Sequence, residues 1–532
     1  MKKTFKTGNP YIWLSGGTLA ISLLMIFGLV ALIMFKGLGI FWPHKITMLT
    51  LNNNSVVLGE ISKVEPIPNL KDSYRTKLKI GNRDIYGMDF RWVDNSSIIS
   101  QNFPPTALTI ERREWGNMYG FLKGMKHDNC IVPMSLADLK PLLKESKALY
   151  KSIRHKEKKE IGKINYKMEK YRLALKRLKL ELPSASTMKK ITSINTKVEE
   201  LESQYTVKVD ELTSLYTSAK EKEVVIQLAD GREEILPIFQ IIRIYDPNQM
   251  GIYAKSRFYV LKFWEFVSAE PREANTEGGI FPAIFGTVIM VLIMSLAVTP
   301  LGVLTAVFLR EYTSDNIFSR IVRISVNNLA GVPSIVFGVF GLGFFIYFIG
   351  GGIDKLFYSE ALPTPTFGTG GILWASLTLA LLTVPVVVVA TEEGISSVPK
   401  SLKEASYGLG ATKFETLWRI TLPQATPGIL TGMILAMARA AGEVAPLMIT
   451  GVVKLAPSLP LDTYFPFIHL ERKFMHLGFH IYDVGFQSPN VEAALPMVYT
   501  TTLILLLTVL VLNLVAIIVR NKLRKKYVTS AL

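Results

Sequence analysis

A single cysteine, Cys130, among 532 residues excludes an internal disulfide framework and leaves no cysteine set for a metal. The six histidines are scattered, without the spacing of a metal site. No G-x-x-x-x-G-K-[ST] run occurs, so the phosphate-cradling loop of P-loop ATP hydrolysis is missing. Also missing is a basic stripe interleaved with exposed aromatics, and the formal charge of +17 therefore does not point to nucleic acid. Roughly half of that excess lies between about 135 and 223. Most of the rest sits in two short tails, Lys2, Lys3 and Lys6 at one end and Arg520–Lys526 at the other. Each tail abuts a long apolar run, a position where basic residues mark the cytoplasmic side of a membrane.

What the chain has in quantity is apolar sequence, 49% of its residues. Six stretches reach the roughly 20 residues that a spanning helix needs: about 12–35, 283–309, 330–349, 371–391, 428–451 and 497–519. The first is too long for a signal h-region and no small-x-small cleavage site follows it, so it reads as a retained anchor. An even number of spans puts both termini on one side. Lys and Arg number about fifteen in the tails and the loops near 310–328 and 392–427, against about four in the loops near 350–370 and 452–496. The first set is therefore cytoplasmic. Residues about 40–280 then face outward in spite of their basic charge, since long domains cross largely regardless of it.

Within that long segment the periodicity changes twice. Residues 45–122 alternate and are rich in Val, Ile, Thr and aromatics, as in Thr76–Ile80 and Asp84–Trp92, and 223–262 reads the same way. Gly81-Asn82 and Asp230-Gly231 fall between such runs and read as tight hairpin turns. Over 136–222 the pattern is helical. Ile161, Ile164, Met168, Tyr171, Leu175 and Leu178 follow three- and four-residue steps. So do Ile191, Ile194, Val198, Leu201, Tyr205, Leu212 and Leu215, with Lys208 the polar exception. Each run has the spacing of a coiled-coil seam. Glu181–Ser186, with Pro183 inside, breaks the helix, so two arms of roughly 45 Å fold back on each other. Such an antiparallel hairpin suits a spacer and a docking arm for a partner outside the membrane equally well.

The loop 392–427 reads Glu404-Ala405-Ser406, then Gly410, then Ile420-Thr421-Leu422-Pro423. Gly410 permits a sharp turn between two short helices. Leu409, Phe414, Leu417, Trp418 and Ile420 supply an apolar face, and Pro423 closes the segment. A face of this kind fits a groove on a soluble partner. The spacing resembles the EAA motif of ABC importer permeases, E-A-A, three residues, G, nine residues, I-x-L-P, with Ser406 where Ala is usual.

Further runs extend the likeness. Trp264-Glu265-Phe266, Pro271-Arg272-Glu273-Ala274, Gly278-Gly279-Ile280-Phe281-Pro282 and Pro300-Leu301-Gly302 resemble the permeases of phosphate-specific ABC transporters. So do Asn328-Leu329-Ala330-Gly331-Val332-Pro333-Ser334 and Arg439-Ala440-Ala441-Gly442-Glu443. Thr391-Glu392-Glu393 matches the PstA type of the binding-protein-dependent transport system inner membrane component family rather than its PstC partner. The resemblance is loose over the first helix and close over about 260–532. It implies a heterodimer with a PstC-type permease, two copies of a PstB-type ATPase that carry ATP and Mg, and a PstS-type phosphate-binding protein. It also implies that Glu404, Ala405, Gly410, Ile420, Leu422 and Pro423 couple this chain to the ATPase. This chain itself would be no enzyme and would bind no cofactor or metal.

Arg439 and Glu443 fall in the fifth apolar run, where a lone charge costs about 2.5–3.5 kcal/mol on insertion scales. Four residues apart, they are expected on one helix face, lining protein or a watery passage rather than lipid. A guanidinium fork suits a tetrahedral oxyanion. Glu443 would orient Arg439 or accept a hydrogen bond from a protonated phosphate oxygen; the bland alternative is a self-neutralised pair that locks two helices. Pro300 and Pro385 read as kinks, Gly350–Gly352 and Gly368–Gly371 as flexible turns, and Glu392 and Glu393 as solvated or partner-facing.

The expected fold is an all-α polytopic membrane domain of six helices with a large α+β extracytoplasmic insertion carrying an antiparallel coiled-coil hairpin. Its parts are 1–39 (tail and first helix), 40–275 (the insertion) and 276–532 (the permease domain). The expected function is passage of inorganic phosphate through a bacterial inner membrane. The alternatives are another oxyanion, molybdate or sulfate, or a membrane scaffold whose hairpin recruits an envelope or signalling partner.

Overall fold

Where water is absent a backbone must satisfy its own N–H and C=O groups, and the long apolar runs accordingly become helices. The computed structural model describes residues 9–68, 72–127, 130–180, 182, 184–314, 316–488 and 491–528. Lys2, Lys3, Lys6 and the helix-breaking Pro183 lie outside the described residues. Six helical stretches are long and apolar enough to cross a membrane: Tyr11–Phe41, Phe281–Tyr312, Ser334–Phe357, Ile372–Ser396, Lys413–Gly442 and Val491–Lys525. The chain divides into two units. One comprises residues up to Ile40, Val267–Tyr358 and those from Pro363 on; the other comprises Phe41–Phe266 with Ser359–Leu362. The first helix, α1, is Asn9–Leu38.

The second unit contains two antiparallel sheets. In the first, β1 (Ile46–Leu51), β2 (Val56–Pro66), β3 (Tyr74–Lys79), β4 (Phe90–Asp94) and β5 (Ile98–Asn102) run in the order β4-β3-β2-β1-β5. In the second, β6 (Leu108–Arg112), β7 (Asn117–His127), β8 (Cys130–Pro133), β9 (Glu223–Gln227), β10 (Glu233–Pro237) and β11 (Ile241–Tyr245) run β10-β9-β7-β6-β11, with β8 on β7. Alternation places Leu49, Leu51, Val57, Leu78 and Val93 in one core and Ile110, Met118, Val224 and Ile226 in another.

The two expected turns behave differently. At Asp230-Gly231 the chain reverses tightly, Leu228 donating its N–H to the Arg232 carbonyl at 2.8 Å with Gly231 at φ +87°. At Gly81-Asn82 it does not. β3 and β4 pair, but a helical turn, Arg83–Tyr86, intervenes and the expected strand Asp84–Trp92 shrinks to Phe90–Asp94. The cause is a distant contact. Asn82, at φ +51°, accepts the Tyr119 N–H at 2.9 Å and donates to the Tyr119 carbonyl at 3.2 Å, which fixes its side chain on β7. The strand-rich reading of 223–262 also needs correction, for the strands stop at Tyr245 and Ile252–Ser268 is a helix.

Between β8 and β9 run α2 (Leu136–His155), a π turn (Lys156–Ile161), α3 (Gly162–Leu180) and α4 (Ala185–Lys220). A capping box opens α2, Ser135 accepting the Asp138 N–H. α3 packs along α4. Of the expected seam, Ile161, Met168 and Leu201 are buried and the other positions are half-buried. Two helices alone cover a seam on only two sides, and the rest of it meets solvent. Lys208, the polar exception, reaches across the pair to Glu160 at 3.2 Å and also pairs with Glu211 on its own helix at 3.1 Å. Ile252–Ser268, which follows β11, is α5.

The first unit continues with α6 (Phe281–Val307), α7 (Ile317–Leu329), α8 (Ser334–Phe340, prolonged to Phe357), α9 (Ile372–Ser396), α10 (Lys400–Gly408), α11 (Leu422–Gly442), α12 (Ala445–Thr450), α13 (Leu477–Tyr482) and α14 (Val491–Val528). α9 is central and packs on both α6 and α11. Its approach to α11 depends on small residues. A Cβ on Gly428 would lie 2.7 Å from the Gly394 Cα, so the two backbones touch. α1 is held on α14, Thr500 Oγ1 donating to the Gly37 carbonyl at 2.8 Å.

Two span readings and one turn reading change. The third begins at Ser334, after a break at Ala330–Pro333 that separates it from α7. The fifth is two helices interrupted at Glu443-Val444. Gly350–Gly352 are helical rather than a turn, whereas Gly368–Gly371 are loop. That loop is anchored. The buried Asp354 carboxylate accepts the N–H groups of Phe367 (2.9 Å) and Gly368 (2.6 Å). Asp354→Ala should therefore cost about 1–3 kcal/mol. It should also raise amide exchange at 366–371, which mass spectrometry of the detergent-solubilised protein would measure.

Candidate functional site

Two places in the first unit carry the sequence-derived residues. The first is the elbow between α9 and α11. Pro399 leads into α10, on which Glu404 and Ala405 are exposed and Ser406 is buried. Gly410 turns the chain at φ +83°, a conformation costly for any residue with a Cβ. Thr412 and Glu415 then form a capping box over Lys413–Thr416. A π turn, Leu417–Thr421, leads into α11, with Pro423 in its first turn. Pro423 thus stands in the first turn of α11, directly after the π turn and inside the helical stretch Lys413–Gly442.

Ser406, where the motif usually has Ala, contributes a contact that Ala could not make. Its hydroxyl lies 2.8 Å from that of Thr416, both buried, and this bond pins α10 to the segment after Gly410. The apolar residues divide. Leu417 turns inward onto Val307, Ile395, Val398 and Ala425, and Ile420 is half-buried. Leu409, Phe414 and Trp418 stay 90%, 63% and 65% exposed, the two rings stacked with centroids 6.4 Å apart. A groove of about 500 Å³ runs beside them, lined by Leu402, Ala405, Leu409, Gly410, Glu415 and Ile420. Lys403 pairs with Glu311 at 2.5 Å and ties the elbow to the turn after α6. Glu392 faces Arg323 at 3.7 Å, and Glu393 is exposed.

The second place is the break in the fifth span. Arg439 occupies the last turn of α11, where a cation complements the helix dipole. α11 stops at Gly442, and Glu443 has extended backbone (φ −78°, ψ 136°). The two charges therefore do not share a helix face as expected. They meet across the helix end, Arg439 Nε 3.8 Å from Glu443 Oε1, an ion pair longer than a hydrogen bond, with side chains 37% and 24% exposed. Ala440 and Ala441 are fully buried in the core on the other side. α12, which follows the break, packs on α8, which itself follows a break. A Cβ on Gly338 would lie 2.8 Å from the Pro446 Cα. The signals for both interruptions were present as Gly331 with Pro333 and as Pro446.

A third polar cluster had no sequence signal. His476 and His480, outside the spans, are fully buried about α13. His476 Nδ1 accepts the Gly478 N–H at 3.1 Å, and His480 Nδ1 lies 2.7 Å from Asn275 Nδ2. Nearby, Lys454 pairs with the buried Asp483 at 3.1 Å. Burial holds His476 down to about 3; burial, then the Lys454 charge, holds His480 down to about 4. Among the described residues, no group of three or more His, Cys, Asp or Glu is placed to hold a metal.

Both histidines bind protons more readily unfolded, with an ordinary value of 6.5, than folded. Their contribution is intact above about pH 6.5 and is lost as pH falls from there towards 4. Thermal melting of the purified protein should show that decline, and His480→Gln should flatten it.

Residues 298–528 match the family described as binding-protein-dependent transport system inner membrane component. The chain is similar to the phosphate transport system permease protein PstA of Mycobacterium leprae, 37% identical over 214 residues, 40% of this chain and 63% of that protein. It is also similar to the probable ABC transporter permease protein YqgI of Bacillus subtilis, 33% identical over 237 residues, 43% of this chain and 74% of that protein. PstA 1 of Mycobacterium tuberculosis H37Rv is 38% identical over 187 residues, 35% of this chain and 54% of that protein. The match thus spans less than two thirds of either PstA protein.

Proposed function

The chain belongs to the family of binding-protein-dependent transport system inner membrane components, and from that premise we propose that it is the PstA-type permease subunit of an ATP-driven phosphate importer. Members of this family are transport components and not themselves enzymes. The elbow carries the reading. Three large apolar side chains stand exposed beside a groove, on a segment locked by the Ser406–Thr416 bond and the Lys403–Glu311 pair. A stiff apolar hook of this kind transmits movement, because it enters a partner's groove without yielding. On this reading the partner is a PstB-type ATPase, present in two copies and carrying ATP and Mg. Glu404, Ala405, Gly410, Ile420, Leu422 and Pro423 form the coupling element, with loop 392–427 and both termini in the cytoplasm of a bacterial cell.

The other half of the passage is a PstC-type permease, and a PstS-type binding protein delivers phosphate from outside, where the Phe41–Phe266 unit lies. Arg439 and Glu443 belong to the pathway. The guanidinium offers paired, charge-assisted donors to an oxyanion, and the carboxylate accepts from a protonated phosphate oxygen that sulfate lacks near neutral pH. The relatives named for phosphate transport support this cargo over molybdate or sulfate. The elbow weighs against a scaffold without transport.

Vesicles containing this chain and its partners should take up radiolabelled phosphate with ATP, unaffected by sulfate or molybdate. Arg439→Ala should abolish uptake while leaving the protein in the membrane; normal uptake by that variant rejects the pathway role. Leu409→Ser with Trp418→Ser should leave ATPase activity uncoupled from uptake, and full coupling in that variant rejects the elbow's role.

A further inference from the structure

The helical pair of the second unit hides its apolar residues along most of its length and displays them at one end. Seam residues Met168 and Leu201 are 7% and 8% exposed. At the far end, where α3 stops and α4 starts, Leu180, Leu182 and Met188 are 67%, 89% and 63% exposed. The charge changes with them. Residues 170–190 contain seven Lys and Arg and a single acidic residue, Glu181. Lys176, Arg177, Lys179, Lys189 and Lys190 are all exposed, and none pairs with a carboxylate among the described residues. Away from the tip several lysines do find carboxylates, as in Lys156–Glu211, Lys208–Glu160 and Lys222–Glu145. An arm held by bridges across the pair thus ends in an apolar tip ringed by cations that meet no carboxylate among the described residues.

We propose that this tip is an anchor for a bilayer surface rich in anionic phospholipid, Leu180, Leu182 and Met188 entering the headgroup boundary while the surrounding Lys and Arg bind lipid phosphates. The chemistry matches on both counts. Clustered basic residues near an anionic leaflet each add roughly fivefold to partitioning. Apolar side chains left in water gain from burial at the acyl boundary, and long Lys and Arg stems follow them while the charged heads stay with the phosphates. The unit is tied to membrane-crossing helices before and after it in the chain, α1 and α6, and an arm of 36 residues extends about 54 Å. An acidic protein would account for the cations but gives no reason for three bare apolar side chains at the apex. The inference does not depend on the cargo.

The test uses the full-length chain reconstituted in vesicles. Cys130→Ser removes the sole cysteine, and Ser186→Cys places an environment-sensitive dye on the exposed tip. In vesicles with about a third phosphatidylglycerol, the dye should emit to the blue and be quenched severalfold less by aqueous iodide than in pure phosphatidylcholine. High salt should reverse part of the protection. Replacing Lys176, Arg177, Lys179, Lys189 and Lys190 with Gln, or Leu180, Leu182 and Met188 with Ser, should abolish it. These side chains are exposed, so an unchanged melting temperature verifies the fold. Equal quenching in both lipids overturns the proposal. So does protection that appears only when an acidic polypeptide is added, which would assign the tip to a protein partner.

Discussion

In hydrocarbon, each backbone N–H or C=O left without a partner costs several kcal/mol, and the first unit is arranged around that constraint. Its spans stay helical wherever they must, and the two interruptions, Ala330–Pro333 and Glu443-Val444, each begin a helix that packs against the other's. At Glu443-Val444 the irregular backbone is half-buried, whereas Ala330, Gly331 and Pro333 are exposed, just before the span that begins at Ser334. The same contact requires small residues: Gly338 against Pro446 leaves no room for a side chain. Charge collects at the same place. Arg439 stands at the carboxyl end of α11, whose dipole favours a cation, and Glu443 is the first residue beyond the helix. A broken helix and an ionisable pair are each costly in a membrane. Placed together, each lowers the cost of the other.

The elbow solves a related problem in water. A short segment that leaves large apolar side chains exposed still needs a fold of its own, and it obtains one by splitting its hydrophobic residues. Leu417 secures it to the bundle, and Leu409, Phe414 and Trp418 are left over. The buried Ser406–Thr416 bond supplies the stiffness that side-chain packing alone would not give so short a segment. The second unit shows the same economy on a larger scale: an arm two helices thick buries a seam only in part and adds cross-helix ion pairs such as Lys208 with Glu160.

Much of this was legible beforehand, and the failures share one cause. Asp230-Gly231 and Gly81-Asn82 have similar turn chemistry, yet only the first makes a tight hairpin. Asn82 is engaged by the backbone of Tyr119, 37 residues away, and that contact outweighs the local preference. Residues 252–262 looked strand-like because aromatic and β-branched residues suit either state, and packing decided for helix. Arg439 and Glu443 were found as charges in an apolar run, but their geometry was misjudged by assuming that the helix continued. His476, His480 and Asp354 went unnoticed because burial, which makes each of them consequential, leaves no trace in spacing.

The sequence alone determined what depends on neighbours within a turn or two: the number of apolar runs long enough to span, the change from alternating to helical periodicity, the spacing of the elbow, and the charge excess over 135–223. Hydrophobic length and periodicity are local properties, written residue by residue. Tertiary structure decided where helices stop, which face of the elbow turns inward, and which cations along the arm find carboxylates across the helical pair. Each of those outcomes depends on partners distant in the chain, because a helix end, a buried polar group or an ion pair is stable only when something far along the sequence arrives to satisfy it.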